Sequence, residues 1–227
     1  DFIGDCAQFP DLTNMINKSH YLVPQMTRDN LRDAIVGPVA VGGGKINSRL
    51  VEELLNGVGD NPDQLPILQH ALMRSWGYWV DHGAIAEMDL KHYEAIGGME
   101  QALSLHANEA YDELTQEQKT LCERILKTLT EKGADNRGIR HPSPAKEVSA
   151  ISGGTVEEIA QVVDKFRIEG RSFISPGIEK AIEPDTLLDI SHESLMRVWT
   201  RLNNWVDDEA GSIQMYSRLA DAAGQFQ

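Results

Sequence analysis

A glycine-rich stretch over residues 39–46, VAVGGGKI, ends in the Gly-Lys pair that phosphate-binding loops use to hold a nucleotide. Such a loop requires Gly-x4-Gly-Lys-Ser/Thr, in which the last hydroxyl binds magnesium. In this sequence Val39 takes the place of the first glycine, and Ile46 takes the place of the hydroxyl residue. Because both requirements fail, the stretch is predicted to be a turn between two helices.

The histidines and cysteines do not form a complete metal or catalytic motif. Residues 192–196, HESLM, resemble the first half of the zinc-binding motif His-Glu-x-x-His, but Met196 stands where the second ligand is needed. Cys6 and Cys122 have no CxxC partner, and the sequence lacks a Gly-x-Ser-x-Gly elbow. We therefore predict no catalytic residue and no metal site in this chain.

His192 is the remaining candidate for chemistry. It follows an apolar, strand-like segment and opens a predicted helix, with Ser191 as a possible N-cap. An imidazole at a helix start lies beside backbone amides that bind anions such as phosphate. The alternative is that His192 only packs or caps locally, and these residues alone leave both interpretations open.

Composition narrows the class of protein. The 227 residues suit one large or two small domains, and the net charge of −14 disfavours a nucleic-acid partner. No apolar run reaches the roughly 20 residues of a membrane span, and two cysteines are too few for a disulfide scaffold. We expect a cytoplasmic protein, and the start without Met suggests a segment of a longer chain.

The elements that must position these residues are mostly helical. Thr27 is predicted to cap a helix that Gly-Pro at residues 37–38 stops, and Ser48 to cap the next helix. Asn-Pro at residues 61–62 is predicted to begin a long apolar helix with Pro66 in its first turn. A further helix is expected over roughly residues 99–114.

The order of elements over residues 115–191 indicates a winged-helix domain. Capping boxes at Thr115 and Thr155 begin two helices, with a short helix over 145–151 between them. The segment 133–144 is predicted to be a connector. Two β-like segments, 172–175 and 186–191, complete the order.

DNA reading by this winged helix is the main alternative function. The third helix of a DNA-reading domain needs basic or amide residues on its outer face. Here the outer face over residues 155–169 is mainly acidic. A packing or interaction module is therefore favoured, with a DNA-binding regulator and a structural adaptor as the alternatives.

Several stretches, taken in order, resemble one family. The run DISHESLMRVW at residues 189–199 is similar to the C-terminal signature of bacterial STAND NTPases, in particular the novel STAND branch often fused to WD40 repeats. The other pieces are Asp1-Phe2, residues 24–35, residues 65–72 with Trp76, and residues 93–98 with Ala102 and Leu103. Together they span nearly the whole chain.

The resemblance implies a mainly α fold with four parts. Residues 1–24 would be the tail of the NTPase core, and residues 25–114 a helical lid domain. Residues 115–191 would be the winged helix with a small β-hairpin, followed by C-terminal helices over residues 192–227.

The resemblance also implies a nucleotide-sensing role for two residues. His192 matches the winged-helix histidine that touches the β-phosphate of ADP. Pro66 matches the lid proline that packs against the base, although Gln64 replaces the glycine of that motif. The chain would then hold the ADP-bound closed state and couple nucleotide exchange to oligomerisation.

The resemblance further implies which components lie outside this chain. The phosphate loop and the metal-binding acidic strand are missing, so we expect no ATPase activity from this chain alone. ADP or ATP with magnesium would bind the full-length protein. The expected partners are the N-terminal NTPase core, a C-terminal repeat or sensor domain, and further copies of the protein.

Overall fold

The computed structural model describes residues 5–20, 24–59, 64–132 and 138–209. A short 3-10 turn, Asp5–Gln8, precedes the helix α1 (Pro10–Ser19). The first helical group follows, and its members are α2 (Arg28–Val41), α3 (Ser48–Val58), α4 (Leu65–Asp81), α5 (Leu90–Ala95) and α6 (Gly98–Asp112).

Helix α2 begins where predicted and ends later than predicted. Thr27 accepts a hydrogen bond from the amide of Asn30, and the Asn30 side chain accepts one from the Thr27 amide. The helix continues through Pro38 to Val41, so the predicted stop at residues 37–38 is wrong. Pro38 is exposed, and burying Val39 in the core favours continuing the helix despite the missing proline N–H.

Residues 39–41 of the glycine-rich stretch still belong to α2, and the three glycines after them form the predicted turn between α2 and α3. Gly43 has a φ of 78°, which glycine adopts at little cost. A Cβ on Gly42 would lie 2.6 Å from the Trp76 ring, and one on Gly44 would lie 2.8 Å from it. The turn therefore packs its backbone against that indole. Asn47, rather than the predicted Ser48, caps α3 with its side chain.

Helix α4 is the long apolar helix of this group. It begins after Gln64, later than the predicted start at residues 61–62, and Pro66 lies in its first turn as predicted. The predicted N-cap at residues 61–62 lies outside the described residues. Helices α2 to α6 share a buried apolar core that we call the first core, and it contains Leu31, Ile35, Leu50, Leu54, Leu55, Leu68, Ala71, Trp79, Met88 and Met99, among others.

The second group combines helices with two small antiparallel sheets. Its helices are α7 (Gln116–Thr128), α8 (Ala145–Ser152), α9 (Val156–Arg167), α10 (Glu193–Val198) and a last helix, α11, over residues 200–209. Its strands are β1 (Thr130–Lys132), β2 (Gly138–Arg140), β3 (Ser143–Pro144), β4 (Ile174–Ser175) and β5 (Leu187–Ile190). Thr115 and Thr155 form the predicted capping boxes of α7 and α9.

Strand pairing adds a hairpin that the sequence does not predict. Strands β1 and β2 pair with Thr130 opposite Arg140, and β2 lies within the segment 133–144 that was expected to be only a connector. Strands β3, β5 and β4 form a separate sheet in that order, with Ser143 opposite Leu188 and Ile174 opposite Ile190. The two predicted strands correspond to β4 and β5.

A second core lies beneath these elements and meets the first along α6. It contains Ile125, Leu126, Leu129, Val148, Ile159, Phe166, Leu188, Ile190, Trp199 and Leu202, among others. Ala102 of α6 belongs to the first core, while Leu103 and Ala107 belong to the second. The described residues are thus mainly helical, as predicted, and they contain two small antiparallel sheets where a single β-hairpin was expected.

A helix that crosses a bilayer must be both long and apolar. Within the described ranges, no helix combines the length and the apolar character that crossing a bilayer requires.

Candidate functional site

His192 itself is the N-cap of α10. Its Nδ1 accepts a hydrogen bond of 3.0 Å from the amide of Ser194, so Nδ1 carries no proton. The neutral ring therefore has its proton on Nε2, which makes Nε2 the donor of this side chain. Local capping, one of the two interpretations of His192, is present in the structure.

Ser191 does not cap α10, so that prediction is wrong. Its backbone amide donates to the carbonyl of Phe173 at 3.0 Å, which extends the hydrogen bonding between β4 and β5 by one residue. Because this pairing keeps Ser191 in the sheet, the next residue, His192, becomes the N-cap of α10. His192 is accordingly fixed where the strand gives way to the helix.

A surface depression of about 250 Å³ surrounds the exposed His192 side chain. Its lining residues are Arg140, Ser191, His192, Glu193, Ser194 and Arg197. They come from the β1–β2 hairpin, from the end of β5 and from α10. The site therefore unites segments that are far apart in the sequence.

Two arginines contribute positive charge to this depression. Arg140 Nη1 lies 2.8 Å from Asp189 Oδ2 and 3.5 Å from the carbonyl of Ile190. Arg197 pairs with Glu193 at 3.0 Å, one helical turn away. Each guanidinium is thus held by a carboxylate, and the site presents several N–H donors beside the imidazole.

Neither arginine was a candidate from the sequence, for different reasons. Arg197 lies within the run at residues 189–199, and its position on the first turns of a predicted helix could have placed it near His192. Arg140 lies in the segment expected to be a connector. Only the pairing of β1 with β2, and the ion pair with Asp189, bring it to the site.

Pro66 does not share this depression. It is partly buried in the first turn of α4, beside Leu65, which packs against the first core. The residues that line the depression around His192 do not include it. The two residues expected to sense a nucleotide therefore lie at separate places in this chain.

Comparison with known families gives one match. The family model described as novel STAND NTPase 1 matches residues 1–227, which is the whole chain. The chain belongs to the novel STAND NTPase 1 family. No curated protein and no solved structure matches it.

The Cys122 thiol and possible metal ligands are the other candidates for chemistry in this family member. Cys122 is buried, and its burial raises the pKa of the thiol, which keeps it protonated and unreactive. Among the described residues, no group of three or more His, Cys, Asp or Glu side chains is placed to hold a metal ion.

A second cleft, of about 430 Å³, lies where the two cores of this STAND protein meet. Next to it, His70 Nε2 lies 3.3 Å from His106 Nδ1, and both rings contact Phe173 of the second core. Burial, together with the charge of Arg74, lowers the pKa of His70 to about 4 and that of His106 to about 3. Both imidazoles are therefore neutral at pH 7 and pack as part of the junction.

Proposed function

We propose that this chain is the nucleotide-sensing regulatory part of a STAND-type signalling ATPase. In this proposal residues 25–114 act as a lid and residues 115–191 as a winged helix. The observation that carries it is His192, which lines a depression together with Arg140 and Arg197. The N–H donors of these side chains match the acceptor oxygens of a phosphate group.

The arrangement of the second group supports the winged-helix part of the proposal. Apart from the β1–β2 hairpin inserted after α7, the elements follow the order α7, β3, α8, α9, β4 and β5, and these three strands share one antiparallel sheet. Helix α9 exposes Glu157, Glu158 and Gln161. Because carboxylates repel the phosphates of DNA, this face favours a role in protein contacts over DNA reading.

The proposed mechanism is a bias between two conformations. In the ADP-bound state, His192 Nε2 donates a hydrogen bond to the β-phosphate and ties the winged helix to the nucleotide. Exchange for ATP removes this contact, which shifts the population toward an open state that oligomerises. Pro66 would contact the base from the lid.

The chemistry of hydrolysis belongs to the rest of the proposed protein. The phosphate loop and the acidic strand that binds magnesium would lie in an N-terminal core outside this chain. We therefore expect this chain alone not to hydrolyse ATP and the full-length protein to bind ADP or ATP with magnesium. A C-terminal repeat or sensor domain would supply the input signal.

Substitution of His192 in the full-length protein tests the proposal. We expect His192→Ala to increase oligomerisation or basal ATP turnover, measured by light scattering and by phosphate release, because the closed state loses a contact. His192→Ala also removes the helix cap, which is worth about 1 kcal/mol.

A second substitution separates sensing from capping. His192→Asn keeps a side-chain cap acceptor, since asparagine is a good N-cap, but it lacks the Nε2 donor. We expect it to behave like His192→Ala. An effect confined to His192→Ala would assign the phenotype to capping, and unchanged behaviour of both variants would overturn the proposal.

A further inference from the structure

The β1–β2 hairpin brings one cation to the site from a distant part of the sequence. Arg140 is the last residue of β2, and it lines the depression around His192. The hairpin packs on α10, since a Cβ on Gly138 would lie 3.3 Å from the Met196 Cβ. The position of Arg140 is therefore fixed relative to the start of α10.

The way Arg140 is held leaves donors for a further acceptor. Its contacts with Asp189 and with the Ile190 carbonyl are both made by Nη1. A guanidinium has five N–H donors in a fixed plane, so Nε and Nη2 still carry donors at the depression. Asp189 thus orients the Arg140 guanidinium while contacting only its Nη1.

Asp189 is placed in a way that stability alone does not explain. Its Oδ1 is buried and has no hydrogen-bond partner among the described residues. A buried polar atom without a partner costs free energy. The other oxygen, Oδ2, holds Arg140, so orientation of that guanidinium is the role that the structure gives to this carboxylate.

We propose that Arg140 is a second phosphate-binding residue, which acts beside His192 on the terminal phosphoryl group of bound ADP, and that Asp189 positions it. This inference rests on the proposed function. His192 is a neutral donor in this geometry and supplies no positive charge, whereas a phosphate group is strongly anionic. A guanidinium supplies both the charge and several N–H donors.

Arg140 is accessible from solvent at the depression, whose volume is about 250 Å³. The side chain of Arg140 is 40% exposed, so an anion can reach it without rearrangement of the hairpin.

Nucleotide affinity of the full-length protein tests the role of Arg140. We expect Arg140→Ala to weaken ADP binding roughly 10- to 100-fold, because a charge-assisted hydrogen bond is lost, and to leave AMP binding unchanged. Arg140→Lys should give a smaller loss, since an ammonium keeps the charge but not the planar donors. Arg49→Ala, on the exposed surface of α3, is the control for loss of one positive charge.

The outcomes separate this inference from the proposed function. If both His192 variants weaken ADP binding while Arg140→Ala does not, the inference is wrong and the proposed function stands. If neither position affects ADP binding, both fail. Equal losses for ADP and AMP would show a structural role and overturn the inference. Arg140-dependent binding of inorganic pyrophosphate as tight as that of ADP would assign the site to free phosphate.

A double-mutant cycle tests the role of Asp189. We expect Asp189→Ala to weaken ADP binding in the unsubstituted protein and to have no further effect when Arg140 is already alanine. Thermal unfolding of each variant monitors the fold. Additive losses from the two substitutions would contradict the positioning role, because they would show that Asp189 acts independently of Arg140.

Discussion

Arg167 shows how one side chain organises a loop of the second group. Its side chain is 3% exposed, and Nε donates to Asp164 Oδ1 at 2.7 Å. Nη1 lies 3.2 Å, 2.8 Å and 2.6 Å from the carbonyls of Pro176, Gly177 and Lys180. The guanidinium therefore fastens the loop between β4 and β5 to the end of α9.

Substitution of Arg167 should be strongly destabilising. We expect Arg167→Ala to lower the free energy of unfolding by about 2–4 kcal/mol, because several loop carbonyls lose a charged donor in a buried position. Urea denaturation of this chain measures the change. Arg49→Ala should change it by less than about 0.5 kcal/mol, as surface substitutions usually do. A similarly small change for Arg167→Ala would contradict this account.

At the scale of elements, two glycines should respond to alanine in opposite ways. Gly77 lies inside α4, and a Cβ there meets no atom within 4 Å outside its chain neighbours and its own helix backbone. Gly44 lies in the turn, where a Cβ would come within 2.8 Å of Trp76 and 3.0 Å of Trp79. The first position has space for a methyl group, and the second does not.

We therefore expect Gly77→Ala to raise the free energy of unfolding by about 0.5–1 kcal/mol, since alanine has a better helix propensity. Gly44→Ala should lower it by about 1–3 kcal/mol through overpacking against the indoles. Thermal and urea unfolding of both variants provide the comparison. If Gly44→Ala proved as stable as the parent chain, the close packing of this turn on Trp76 would be wrong.

At the scale of the whole molecule, the junction between the two cores should be sensitive to acid. His70 and His106 face each other and Phe173, with Arg74 and Glu109 nearby. Their pKa values, about 4 and about 3, lie below the ordinary 6.5, so the folded state resists protonation. Unfolded chains bind these protons below about pH 6.5, and stability falls as the pH decreases.

The test is the slope of unfolding free energy against pH between about 5.5 and 6.5, above the ordinary pKa values of about 3.9 for Asp and about 4.3 for Glu. Each histidine should contribute up to about 1.4 kcal/mol per pH unit to this slope, at pH values between its folded and unfolded pKa. We expect the double variant His70→Gln, His106→Gln to show a shallower slope, whatever its absolute stability. An equal slope in the parent chain and the variant would exclude the histidine pair as its source.

Features that depend on neighbours in the sequence were predictable. The cap at Thr27 and the capping boxes at Thr115 and Thr155 depend on residues a few positions apart, so sequence alone reveals them. The same applies to His192, which stands between an apolar strand and a helix. The turn at residues 42–44 was also predictable, because the stretch around it lacks two residues that a phosphate loop needs, although residues 39–41 belong to α2.

Features that depend on distant contacts were decided by the tertiary structure. Helix α2 passes through Pro38 because burial of Val39 outweighs a local stop signal. Ser191 stays with the sheet because Phe173 accepts its amide hydrogen, and so His192 becomes the cap. Arg140 reaches His192 only through strand pairing and the ion pair with Asp189. Sequence determined the residue that could sense a phosphate, whereas long-range packing determined which charges surround it, since such contacts leave no periodic or local pattern in the chain.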